Sequence, residues 1–462
     1  MILKEKYKEN PGFQYVIDSL ELMSSVGRRF LLSQPFMTNP HDIEKHYDLI
    51  ALFIERLRTP AYKVAIADLR HQLMRLHDLQ GTLLNLQKHI VVDEIELFEI
   101  KSFAYLCHAT RQDLATLGFT ATMPLPDTQN IFDLLDPDKN GVVSFYLYDS
   151  YHPELGIVRQ QLKRCAETDP QYNALFERQN ELQQQVLLTL SRQLWNYADL
   201  LSQALQQMAS IDILQAEAAQ ALTWNLSRPI IAESIHYCQL VNPRLKAHNE
   251  THGLRYQPID ICLQPGLCLI TGANMAGKTV LLKSLSIAQL MVQFGMYAPA
   301  QKATIALVDD VALCIGDDQN EMNGLSSFAS EITQISTIIE RSQHERLLIL
   351  IDEPARTTNP IEGKAIVQAV GSLLQHRNSF SVITTHYSQL NLEGRNLRVK
   401  GFVEALSDTT LSAATINQFM DYSLIESCNG EVPHEALRIA ALLGCNADMI
   451  KLAEKFASST EM

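Results

Sequence analysis

The 462-residue chain has no apolar run of the roughly 18 residues that a membrane span needs, and its first residues, MILKEKYKENPG, place charges where a secretory leader has an apolar stretch. A cytoplasmic protein without membrane association is therefore expected. The eight cysteines are scattered, with no CxxC pair and no histidines at metal-ligand spacing, so neither a disulfide framework nor a zinc site is expected. Basic charge is also short. The net charge of −14 is shared about equally by the halves on either side of residue 250, so neither half has the positive footprint of a typical nucleic-acid binder. There is no internal repeat and no low-complexity tract.

What is present is apolar patterning on a scale that implies more than one domain. Up to about residue 225 apolar residues recur at three- and four-residue spacing, as in IEKHYDLIALFIERL (43–57), which predicts an all-α region. Asp169-Pro170 reads as an N-cap and first-turn pair. It predicts a long helix over about Tyr172–Leu222, antiparallel to a helix ending before the Thr168-Asp169-Pro170 turn. The intervening segment 119–155 is irregular, with a candidate hairpin at VVSFYLYD (142–149). From about Cys262 the texture changes, and short β-rich runs alternate with helical ones (LCLITG, LLILIDE, SVITTH), which predicts a parallel sheet with crossover helices.

The sharpest motif is GANMAGKT (272–279), which fits GxxxxGK[ST] between a strand and a helix. Gly272, Ala273, Asn274, Met275, Ala276 and Gly277 would turn the backbone so that its N–H groups face phosphate oxygens, Lys278 would neutralise the outer phosphates, and Thr279 would offer a Mg²⁺ ligand. The apolar strand LLILIDE (347–353) ends in two carboxylates. Asp352 is expected to hold Mg²⁺ and Glu353 to polarise an attacking water. Thr384-Thr385-His386 closes a further strand, from which His386 can reach a terminal phosphate. One decoy competes for attention. DPDKNGVVSFYL (136–147) approaches the register of a calcium loop, but position twelve is Leu147 where a bidentate glutamate is required, and an Asn-Gly turn is the preferred reading.

These motifs together resemble the MutS family of ABC-type ATPases over most of residues 255–455. ITGANMAGKTVLLKSLSIAQLMVQFGMYAPA is similar to that family's P-loop and following helix, IGDDQNEMNGLSSFASEI (315–332) to its signature loop, DEPARTTNPIEG to its Walker B and D-loop, and TTHY to its switch histidine. IGDDQ and EGKA lie nearer the second bacterial paralogue than the classical repair protein.

The resemblance implies a P-loop ATPase domain over 226–432, a core and lever-like helical domain over 1–225, and a dimerising helical segment over 433–462. It implies ATP and Mg²⁺ as ligands and a homodimer in which Ser326 and Ser327 meet the partner's nucleotide. An aromatic before the P-loop strand would stack on the base, with Tyr256 the candidate and Leu254 its competitor.

Against the family pattern, the chain is expected to lack mismatch-reading and connector domains and to have a clamp reduced to the turn near 168–170, and Pro354-Ala355-Arg356-Thr357 stands where the D-loop usually has glycines. Two functions stay open. One is a DNA-associated switch acting in mismatch repair or at duplex or branched DNA; the other is an ATP-driven factor that remodels a protein client without binding DNA.

Overall fold

A computed structural model of the chain describes every residue except 167, 273–276, 317–326, 388–389, 403–418, 428–436, 438–439, 442–444 and 460–462. The side chains of Ser327 and residues 457–459 also lie outside the description. The chain divides into two compact units, one of Met1–Ser19, Pro35–Tyr47 and Gln220–Met462, the other of Leu20–Gln34 and Asp48–Ala219. Among the described residues no helix is long and apolar enough to cross a membrane.

In the second unit two of the longest helices have their starts set by side chains. Asp93 and Glu96 form a reciprocal capping box at the start of helix Glu94–Thr116. Asp169 caps helix Pro170–Trp195, accepting from the Gln171 N–H with Pro170 in the first turn. That helix runs antiparallel to helix Leu155–Arg164, the two meeting over Leu155, Val158 and Leu182, with Leu162 and Leu175 packed alongside.

The single long helix expected over 172–222 is instead two, Pro170–Trp195 and Ala198–Thr223. At the break the Tyr197 N–H bonds Leu194, three residues back, so Asn196 and Tyr197 form a turn. Apolar periodicity continues through such a turn, so the pattern alone does not reveal it.

Within 119–155 no strand forms at 142–149, contrary to the hairpin expectation. The reason is Lys101, fully buried, whose ammonium takes Asp136 Oδ1 at 3.0 Å, the Ser144 carbonyl at 3.1 Å and the Tyr148 hydroxyl at 3.1 Å. The segment wraps around a cation rather than pairing with itself. Burial opposes ionisation of Asp136, but the Gly141 N–H and Lys101 together hold its carboxyl below the usual range. The first position of the calcium-like sequence is thus occupied by an ammonium.

In the first unit a six-stranded sheet has the order β10 (Met420–Glu426), β9 (Arg395–Phe402), β4 (Gly266–Thr271), β8 (Phe380–Thr385), β7 (Leu347–Asp352), β6 (Asp310–Cys314). All neighbours are parallel except β10 and β9. β4 and β8 are buried along their whole length and β7 up to its terminal acid, as a parallel sheet covered on both faces requires. One face packs Leu269, Ile349, Ile351 and Ile383 against Ile335, Ile338, Val367 and Leu374 of helices Ser327–Arg341 and Pro360–Leu374. A smaller sheet joins β1 (Ile230–Ile231), β5 (Lys302–Ile305), β2 (Ile235–Leu240) and β3 (Ile259–Leu263).

Helix Lys278–Gln293 is buried without interruption from Ser284 to Gln293, and the N-terminal segment supplies much of its cover. Asn10 donates to Ser286 Oγ, Tyr47 to the Val292 carbonyl, and the Met37 N–H to the Gln293 carbonyl. Gln293 in turn donates to the Met37 and Val308 carbonyls. Residues 1–19 and 35–47 therefore group with the sheet, whereas the sequence reading assigns 1–225 to the helical domain.

Candidate nucleotide site

The parallel register sets Asp352 at the end of β7 beside Thr384 on β8, and β8 in turn lies beside β4, from which the glycine-rich loop departs. Ligand sites of open α/β sheets form at such carboxyl ends. Gly277 precedes the helix with φ +77°, a left-handed conformation that glycine adopts without strain. It is also crowded, since a Cβ there would stand 3.0 Å from the Tyr422 ring.

Lys278, the first helical residue, is buried, and its ammonium lies 2.7 Å from the Gly272 carbonyl and 3.0 Å from Glu353 Oε1. Asp352 accepts two hydroxyls at 2.5 Å, Thr279 on one oxygen and Thr384 on the other. The Glu353 N–H donates to Thr384 Oγ1 at 3.0 Å and to its carbonyl at 3.1 Å. The carboxylate and hydroxyls of Asp352, Thr279 and Thr384 form an all-oxygen set, the chemistry that a small hard cation such as Mg²⁺ prefers. Among the described residues no cluster of three or more His, Cys, Asp or Glu side chains exists to hold a softer metal.

His386 is half-buried just beyond β8, its ring 4.3 Å from that of Tyr387. Glu331, on helix Ser327–Arg341, accepts the Ala355 N–H at 3.3 Å. Burial pushes its carboxyl up against the lowering effect of that N–H and of Arg356.

The structure thus brings together Gly272, Gly277, Lys278, Thr279, Asp352 and Glu353 from two separate stretches of sequence. Tyr256 is used elsewhere: its half-buried hydroxyl accepts the Asn242 N–H at 2.6 Å, at the capped start of helix Pro243–Thr251. Among the described residues the Tyr422 ring lies against Gly277, at the end of the loop. Ala273, Asn274, Met275, Ala276 and Ser326 lie outside the described residues, as does the Ser327 side chain.

Thr384, Tyr422, Tyr387 and Glu331 escaped the sequence reading as site residues. Thr384 had a signal, since two buried strands ending in LID and ITT place those ends side by side if paired in parallel. Tyr422 had none, because only the β9–β10 return carries it back to a loop 145 positions earlier.

Residues 268–461 match the family model of MutS domain V. The chain is similar to the endonuclease MutS2 of Thermus thermophilus, 33% identical over 257 residues, covering 54% of this chain and 32% of that protein. It is likewise similar to the DNA mismatch repair protein MutS of Thermus aquaticus, 30% identical over 236 residues, with 50% and 28% covered. A further endonuclease MutS2, from Caldanaerobacter subterraneus, is 29% identical over 286 residues, with 61% and 34% covered. These matches span about a third of the relatives' own length. Together they show that residues 268–461 resemble MutS domain V, an ATPase domain, and the mixed α/β unit fits that fold.

Proposed function

We propose that the chain is a MutS-type switch that binds and hydrolyses ATP with Mg²⁺ and works as a homodimer. The observation that carries this reading is the double pairing of Lys278 with Glu353 and of Thr279 and Thr384 with Asp352, which gathers both phosphate-site motifs at one sheet edge. Bound Mg²⁺ would be held by Thr279 and Asp352 and would neutralise charge on the outer phosphates. Lys278 exchanges its Glu353 partner for phosphate oxygens, and Glu353, freed at the strand end, orients the attacking water. His386 faces the terminal phosphate, Tyr422 offers a ring beside the loop, and Ser326 and Ser327 complete the partner's site.

For the output of the switch, the relatives' names, an endonuclease and a DNA mismatch repair protein, favour action at duplex or branched DNA. The acidic charge, with no basic half, favours the second reading, in which closure of the dimer remodels a protein client.

Calorimetry with ATP and Mg²⁺ tests the shared core: no affinity sinks it. Filter binding to plain, mismatched and branched duplex at low salt separates the outputs. Binding that vanishes even at low salt removes the DNA reading, and DNA-stimulated turnover removes the client reading. Mixing a Ser326→Ala/Ser327→Ala chain with a Lys278→Ala chain should restore one composite site, and no recovery counts against assembly across the dimer.

A further inference from the structure

Two residues of the turn that follows β7 sit in left-handed backbone without being glycine, Glu353 at φ +45° and Ala355 at φ +60°. Each such residue is strained and persists only where its surroundings over-determine it. Ala355 is fully buried and is held on two sides. Its N–H donates to Glu331, four residues into the helix that starts at Ser327. Its carbonyl oxygen would lie 3.1 Å from a Cβ on Gly363, the same position that the Tyr387 hydroxyl would block outright. Tyr387 is packed on His386, and its own N–H donates to Thr385 Oγ1 at 3.0 Å.

We propose that Glu331, Gly363 and Tyr387 are positioning residues that clamp Ala355, so that the stance of the Ser327–Arg341 helix decides where Glu353 and His386 point. The proposal rests on the hydrolytic reading of the site. A clamp of this kind acts chiefly on turnover, because Lys278 and Thr279 stand at the start of the helix that follows β4 and meet the turn only through the Lys278–Glu353 pair. Losing it lets the strained turn relax, and a shift near 1 Å at a catalytic group costs on the order of 10²-fold in rate.

The test is steady-state ATP hydrolysis and calorimetric nucleotide affinity on the full chain. Glu331→Ala should lower kcat on the order of tenfold to a hundredfold while Kd stays within about twofold. Glu331→Gln, which keeps an oxygen to accept the Ala355 N–H at the same volume, should recover most of the turnover. Gly363→Ala should also lower kcat, and adding Tyr387→Phe, which removes the blocking hydroxyl, should restore part of it. Wild-type kcat in Glu331→Ala, or a Gln variant as slow as the Ala variant, overturns the clamp while leaving the ATPase reading standing. A wild-type chain without Mg-ATP affinity overturns both.

Discussion

Lys278 and Glu353 form an ion pair at 3.0 Å with side chains only 4% and 11% exposed, so the proposed base and the proposed phosphate-binding cation neutralise one another. Burial makes each dependent on the other, since a buried charge left alone costs several kcal/mol. The pair therefore ties the availability of Glu353 to the arrival of a competing anion at Lys278.

Glu353→Gln should retain ATP with turnover reduced on the order of 10²–10⁴-fold, because the amide cannot polarise water. Lys278→Ala should instead weaken binding. Rapid-quench hydrolysis beside equilibrium binding separates the two, and full turnover by Glu353→Gln refutes its assignment.

Lys101→Met would leave Asp136 buried without its cation, and a loss of about 3–5 kcal/mol is expected in the denaturation of the helical unit. Asp136 is depressed in the folded state, so its contribution is present above the unfolded carboxylate pKa of about 3.9 and is lost as pH falls through the lower folded value. The wild-type and Lys101→Met melting curves should converge as acid is added. Parallel curves down to the acid transition would contradict the pairing.

Asp113 behaves oppositely. Burial, with the neighbouring Asp68 charge, raises its carboxyl to about 6. Its ionised form is disfavoured by the fold, so stability is lost as pH rises from the unfolded pKa of about 3.9 toward 6 and stays lost above it. Asp113→Asn should raise the melting temperature by a few degrees at pH 7.5 and leave it unchanged near pH 4.

Gly27→Ala should destabilise by about 1–3 kcal/mol. Asp212, fully buried, accepts the Met23 and Ser24 N–H groups at 2.9 Å and the Ser24 hydroxyl at 2.6 Å, and a Cβ at Gly27 would strike its carboxylate. Chemical denaturation measures the loss, and an unchanged midpoint would show that the packing around Asp212 yields freely.

Local chemistry made much of this legible. A strand, two glycines, a lysine and a threonine announce a phosphate loop, and the Asp169-Pro170 pair marks a helix start, because both signals lie within one turn of chain. The Asn196-Tyr197 break and the course of 142–149 were not legible. The first leaves periodicity intact, and the second depends on Lys101, more than forty positions from Ser144 and Tyr148. Tyr256 was the local choice for an aromatic near the loop. Its hydroxyl accepts the N–H of Asn242, the cap residue of another helix, and the Tyr422 ring beside Gly277 arrives from a distant strand.

The order of residues by itself determined the motifs on which the proposed site rests, since the glycines, the cation and the paired acids are each encoded in a few consecutive positions. Only the tertiary structure decided which groups meet: Thr384 on Asp352, Lys278 on Glu353, Glu331 on Ala355. Strand register and helix packing set those meetings through burial and hydrogen bonding between segments remote in sequence, and no local pattern carries that distance.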